Sequence, residues 1–189
     1  TTGIDQMQAE LVGISLAVNN DQGYYIPVGH KTGEQLPLKM VMDALRPALT
    51  NPAIAKYGHN AGYDLVMMQR NGIDVAPIYF DTMVAEWLRS PDSKFLGLKN
   101  LARQELDVHM TEINELIGTG KKQVTMDTLP IERVAPYAAA DAAITHRLVS
   151  HLRPRLEELD LLELFDKVEM PLIPVISAIE RTGVILDTK

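Results

Sequence analysis

Hydrophobic and polar positions change their period along the chain. Glu10 to Val18 (ELVGISLAV) is rich in β-favouring residues, the polar turn Asn19-Asn20-Asp21 interrupts it, and a second such run follows from Gly23 to Val28. This pattern predicts an antiparallel hairpin. The repeat then lengthens: Leu38, Val41, Met42, Leu45 and Leu49 fall close to a helical period within Leu36 to Leu49, and Asn51-Pro52 stops it. Ala53 to Tyr57 is a short apolar run ending at Gly58-His59-Asn60, after which Tyr63 to Arg70 resumes helical spacing until Asn71-Gly72. Val75 to Phe80 reads as another strand, and Asp81-Thr82 is placed to cap a helix from Met83 to Arg89. Two successive strand-to-helix units predict parallel pairing.

Beyond the loop Pro91-Asp92-Ser93 the pattern is almost wholly helical: Leu96 to Leu106, Thr111 to Ile117, and Ile131 to about His151. Leu161 to Arg181 continues it with Pro171 and Pro174 inside, which predicts a kink or a break, and Gly183 ends it. The fold class expected is therefore α/β, with an antiparallel hairpin plus parallel strands in one mixed sheet flanked by helices, and a helical C-terminal half.

Composition narrows the function classes. At 189 residues the chain suits one domain, or one domain plus a fragment of a second. Its net charge of −7 gives no general basic footprint, so any contact with nucleic acid must be local or carried by metal ions. The absence of cysteine excludes disulfides, thiolate zinc sites and a cysteine nucleophile. No apolar run approaches the roughly 20 residues of a membrane span, and no signal segment is seen, so a cytoplasmic location and no membrane partner are expected. A start at Thr1 and an end at Asp187-Thr188-Lys189, just after an apolar stretch, predict a piece of a longer chain.

Several motifs fail on inspection. Gly118-Thr119-Gly120-Lys121-Lys122 invites a phosphate-loop reading, but Glu115 stands where a glycine is needed and Lys122 where a hydroxyl is needed. Ser15, Ser90, Ser93, Ser150 and Ser177 lack the glycines of a nucleophile elbow. His146 and His151, five residues apart, share no helix face and read as surface histidines, while Met67, Met68, Met83 and Met170 read as core. Two carboxylates stand out instead. If Asn60 caps its helix, Asp64 lies one turn on and near the end of the preceding strand, where crevices commonly hold ligands. Taken alone, Asp64 better fits an acidic residue near a helix start favoured by the dipole. Asp141 sits among Ala138, Ala139, Ala140, Ala142 and Ala143, a surface that neighbours can approach closely, with Tyr137 one turn earlier. Burial there calls for a cation, a donor or a metal; a solvent-facing Asp on an alanine-rich helix is the alternative.

Together, Asn60-x-x-Tyr63-Asp64 and Tyr137-x-x-x-Asp141 resemble the 3′-to-5′ exonucleases of the DEDD superfamily, tyrosine subgroup, which have ribonuclease H-like folds. More closely, YGHNAGYD, FDTM, GKKQ and YAAADA resemble the proofreading domain of family A DNA polymerases of the bacterial DNA polymerase I type. Val168 to Leu172 and Ile179 to Val184 resemble the start of the polymerase domain in that family, a tail that ribonuclease D-like enzymes lack.

The resemblance implies a division at 1–157, an exonuclease domain without its opening strand, and 158–189, the beginning of the polymerase domain. It implies two divalent ions, Mg²⁺ first, with Mn²⁺ or Zn²⁺ as alternatives, held by four carboxylates. Asp64 and Asp141 match two of these, and the other two belong to an Asp-x-Glu expected to end immediately before Thr1. Tyr137 would orient the attacking water, Asn60 and Tyr63 would lie beside the terminal nucleotides, and Ile4 matches an apolar position against the last bases. The implied partners are the single-stranded 3′ end of a DNA primer and the polymerase domain of the same polypeptide, in the bacterial nucleoid. Lys94, Lys99, Lys121 and Lys122 are cations available to guide the strand. The chain by itself is expected to be inactive for want of half its ligands. Two other readings are a vestigial exonuclease fold that serves as a platform for the polymerase domain, and an RNA exonuclease of the ribonuclease D kind.

Overall fold

The hairpin forms where the alternation places it: β1 (Gly13–Ala17) pairs antiparallel with β2 (Gly23–Pro27), Gly13 opposite Pro27 and Ala17 opposite Gly23. In this computed structural model residues 1–187 are described; Thr188 and Lys189, the end of the expected second unit, lie outside the described residues. The helix α1 (Leu38–Thr50) covers the hairpin, burying Val41 and Met42 against Ile14, Met68 and Ile73. It ends at Asn51, as expected from Asn51-Pro52.

The two strand-to-helix units follow. β3 (Lys56–Gly58) leads into α2 (Ala61–Arg70), and β4 (Ile78–Asp81) leads into α3 (Thr82–Arg89). β3 and β4 pair in parallel, Lys56 opposite Ile78 and Gly58 opposite Asp81. β4 begins later than Val75 because Pro77 has no N–H to give a ladder, and the Ala76 N–H is spent on the Leu49 carbonyl at 2.8 Å. Among the described residues no ladder joins β1–β2 to β3–β4, so the strands form two separate pairs.

The helical half supplies the other layer. α4 (Leu98–Leu106) and α5 (Ile113–Ile117) precede two short 3₁₀ turns and α6 (Ile131–Glu158), which packs on β1, β2, β3, α3 and α4. α6 runs well beyond His151 and through Pro154, because its last turns carry Leu152 and Leu156, both fully buried. Burying two leucines outweighs the roughly 3 kcal/mol cost of an interior proline. After α7 (Leu162–Leu164), a wide π-helical turn over Phe165–Glu169 feeds directly into α8 (Met170–Thr182). Helical winding thus continues through Pro171 and Pro174. The irregularity falls instead on the turn that holds Lys167, whose carbonyl an ordinary helix would drive against the Pro171 ring.

A second, larger core, apart from the cluster under the hairpin and α1, joins α2, β4, α3, α4, α6 and α8. Leu65, Phe80, Leu101, Leu148, Phe165 and Ile173 belong to it, with the Phe80 and Phe165 rings 4.7 Å apart. Within it a buried ionic network joins α3, α4 and α6: Arg89 reaches Glu86 at 2.6 Å and Glu105 at 2.7 Å, and His151 lies 3.1 Å from Glu105. His151 and His146 are therefore half-buried, not surface histidines; His146 reaches Asn20 at 2.7 Å and packs on the Tyr57 ring. Sequence spacing alone hides both partners because they lie on other elements. Met67, Met68 and Met170 are buried, as their spacing suggests, and Met83 is half-buried. No helix among the described residues is long and apolar enough to cross a membrane.

Candidate active site

The alanine run of α6 is a docking surface for β2. Gly23 approaches it so closely that a Cβ added there would lie 2.6 Å from the carbonyl carbon of Ala139. Tyr137 and Asp141, on either side of Ala139, face a cleft of about 970 Å³ between β1, β3, α2 and α6. Asp141 is partly buried, and burial raises its carboxyl above the ordinary carboxylate range, with Lys99 of α4 and the Tyr137 hydroxyl opposing the rise. Lys99 forms an ion pair with Asp141 Oδ1, and its ammonium stands 4.2 Å from the centre of the Tyr137 ring. Burial and the Asp141 charge raise the Tyr137 phenol, so it stays protonated at neutral pH.

Asp64 opens onto the same cleft from the first turn of α2. Its side chain is solvent-accessible but walled in by protein, and this thin solvation, with the nearby Asp81 charge, pushes its carboxyl up to about 6. The helix that carries it is not capped by Asn60. Asn60 adopts the left-handed conformation, φ 60° and ψ 47°, and its side chain makes no cap bond. The cap comes from across the sheet. Asp81, 1% exposed, accepts the N–H groups of Ala61 at 2.7 Å and Asn60 at 3.2 Å. It also caps α3, accepting from Met83 at 2.8 Å and Val84 at 3.1 Å. The sequence shows the second role of Asp81 and conceals the first.

The other three candidates meet at a second cavity, of about 480 Å³, lined by Ile4, Asn60, Tyr63, Met83, Ile176 and Glu180 among others. Ile4 is 98% exposed there. Tyr63 borders both spaces and pins the N-terminal segment, its hydroxyl donating to the Gly3 carbonyl at 2.6 Å. Gln6 closes one side by donating to Glu180 of α8 at 2.7 Å. Sequence reasoning placed Lys99 only among general cations; nothing in the spacing marks it as the partner of Asp141, 42 residues away. Of the other cations singled out, Lys94, Lys121 and Lys122 are exposed, and none of them lines the cleft.

Among the described residues no three His, Asp or Glu side chains form a ready cation cage. Asp64 and Asp141 nonetheless offer the hard oxygen ligands that Mg²⁺ or Mn²⁺ takes. Both carboxyls are raised chiefly by loss of surrounding solvent, which a bound cation would offset, and one already holds an ammonium. The pair fits part of a divalent-ion site.

A family model described as 3′-5′ exonuclease matches residues 1–157. DNA polymerase I of Chloroflexus aurantiacus is 43% identical over 189 residues, covering 98% of this chain and 20% of that protein. DNA polymerase I of Pseudomonas aeruginosa is 35% identical over 193 residues, covering 99% of this chain and 21% of that protein. The chain thus spans about a fifth of the length of these relatives. Among solved structures, one described as the apo form of the nuclease matches with a TM-score of 0.75 at 20% identity, covering 100% of this chain and 86% of that one. Brucella melitensis NrnC with bound Mg²⁺ matches with a TM-score of 0.73 at 19% identity, covering 100% and 87%. These likenesses agree with the nuclease fold class expected from the sequence.

Proposed function

We propose that this chain, which belongs to the 3′-5′ exonuclease domain family of A-type DNA polymerases, removes nucleotides from the 3′ end of a DNA strand by metal-assisted hydrolysis, as the editing module of a polymerase. The observation that carries the proposal is convergence. Asp64, Tyr137 and Asp141 line one cleft, Ile4, Asn60 and Tyr63 line the adjoining cavity, and Tyr63 forms part of the wall of both.

Asp64 and Asp141 are the residues that would hold divalent ions, Mg²⁺ in the first place and Mn²⁺ or Zn²⁺ as alternatives; a structural neighbour carries Mg²⁺. The Asp-x-Glu pair expected ahead of Thr1 would complete the ligand set. When bound, two such ions supply an activated water and neutralise the leaving 3′ oxygen. The protein's own groups do the rest. Tyr137 stays a neutral phenol, so its hydroxyl orients the attacking water by hydrogen bonding and does not act as a base. Asn60, Tyr63 and Ile4 hold the terminal nucleotides, Ile4 offering its exposed side chain to a base. The single-stranded 3′ end of a primer is the substrate, the polymerase domain beginning at about residue 158 is the partner on the same polypeptide, and the setting is the bacterial cytoplasm.

The deciding experiment is a Mg²⁺-dependent degradation assay on the complete protein with a 5′-labelled single-stranded DNA, and with its RNA counterpart. Stepwise shortening from the 3′ end of DNA, abolished by Asp141→Ala, is expected. Equal activity of the variant would end the metal-site reading, and faster attack on RNA would end the DNA assignment.

A further inference from the structure

Lys99 lines the cleft of the candidate site and pairs with one of its two carboxylates, while the Thr1 ammonium, also in the cleft, acts on Asp64. The Lys99 side chain is 15% exposed, it pairs with Asp141 Oδ1, and its ammonium lies over the face of the Tyr137 ring. The ionic network of Glu86, Arg89 and Glu105 takes no part in this, because its contacts go elsewhere. Other charged groups facing the site are Glu112, whose charge acts on both Asp141 and Tyr137, and half-buried His59, on which the Lys99 charge acts and whose ring reaches Thr82 Oγ1 at 2.8 Å.

We propose that Lys99 is a placeholder cation: it neutralises Asp141 while no metal is bound, so a divalent ion must displace it to reach that carboxylate. This inference rests on the reading of Asp141 as a metal ligand. Its physical basis is the cost of leaving a half-buried carboxylate without a counter-charge, which an ammonium at contact distance removes. The Tyr137 face gives the displaced ammonium a place to stay, since a cation over an aromatic ring is attracted to it. Lys99 therefore remains near the site as a positive charge and opposes the entering ion by direct repulsion. Because it acts through Asp141 and not on the substrate, Lys99 is a positioning residue. Its consequence is a raised threshold of free divalent ion, below which the site stays closed by its own side chain.

The test is direct binding of Mn²⁺, followed by paramagnetic resonance at pH 8 without DNA, to the complete protein and to its Lys99→Met, Lys99→Arg and Asp141→Asn variants. Methionine keeps an apolar stem in place of the lysine's and removes only the charge. Lys99→Met is expected to bind Mn²⁺ about tenfold more tightly, the effect of removing one nearby repulsive charge. Lys99→Arg, which keeps the charge, is expected to bind like the unaltered protein. If Lys99→Met binds Mn²⁺ equally or more weakly while Asp141→Asn loses an ion, the placeholder role is refuted and the metal site stands. If Asp141→Asn keeps its full complement of Mn²⁺, the metal site itself falls, and the placeholder with it. Unchanged circular dichroism and melting of Lys99→Met establish that its binding reports charge and not misfolding; if that variant does not fold, Lys99→Gln answers the same question.

Discussion

A methyl group added at Gly23 tests whether the site depends on the seating of α6. Carbon atoms pack at about 3.5–4.0 Å, whereas the Cβ of an alanine at position 23 would lie 2.6 Å from the carbonyl carbon and 2.9 Å from the Cα of Ala139. These atoms and the Ala139 carbonyl oxygen, nearer still, are all backbone, so no side chain can swing aside; β2 and α6 must part by about 1 Å. Overpacking of this kind costs about 1–3 kcal/mol. An alanine also restricts the unfolded chain, returning about 0.4–1 kcal/mol, so the net loss should be about 1–2 kcal/mol and the domain should still fold. The larger effect falls on catalysis. Tyr137 and Asp141 flank Ala139 and ride with it, and if they act as proposed, a displacement of about 1 Å at them costs on the order of 10²-fold in rate. The assay compares initial rates on labelled single-stranded DNA at saturating Mg²⁺, with melting curves in parallel. Gly97→Ala is the control, since a Cβ there meets nothing within 4 Å. A folded Gly23→Ala protein with a rate within threefold of the parent, about 0.6 kcal/mol in barrier height, would refute the claim that this contact sets the ligand position.

Three further outcomes are expected. Asp81→Asn should lower stability by about 2–3 kcal/mol, because one carboxylate serves four amides and charge-assisted bonds are worth about 1.5–3 kcal/mol each; denaturant titration measures it, and a loss below about 0.5 kcal/mol would contradict the double-cap role. Asp64 binds its proton more tightly folded than unfolded, its carboxyl being pushed up to about 6 from 3.8, so its contribution lowers stability as pH rises through that interval. In chelator, Asp64→Asn should therefore melt higher than the parent at pH 7.5 and show no such gain at pH 3.5; a lower melting point at pH 7.5 contradicts the thin-solvation argument. Tyr137→Phe should cut turnover by about 10²-fold while leaving Mn²⁺ affinity unchanged, and weakened Mn²⁺ binding would show that the phenol supports the ligand and not the water.

Legibility followed the range of the interaction. The hairpin, α1 and the strand-to-helix units were readable because alternation, period and caps act over a few residues, and Asp141 stood out because its alanine neighbours are contiguous with it. What could not be read was tertiary. Asp81 clasps the start of α2 from across the sheet, which leaves Asn60 in the left-handed region in place of a cap. Lys99 reaches Asp141 only because α4 packs on α6. α6 runs past His151 because Leu152 and Leu156 bury against Phe165, Phe80 and Leu65, residues on other elements that the local pattern does not show.

The cavity beside Tyr63 has one wall from each side of residue 157. Ile4, Asn60 and Met83 come from the span that the exonuclease model matches, while Ile173, Ile176 and Glu180 come from α8, beyond it. A boundary drawn by homology therefore cuts through the cavity proposed to hold the terminal nucleotides. An exonuclease module grafted into another polymerase, or recombined in a chimera, would carry this cavity whole only with α8 attached. Cut at residue 157, it would keep its acidic residues and lose the tie from Gln6 to Glu180, leaving the loop that bears Ile4 without its anchor on that side.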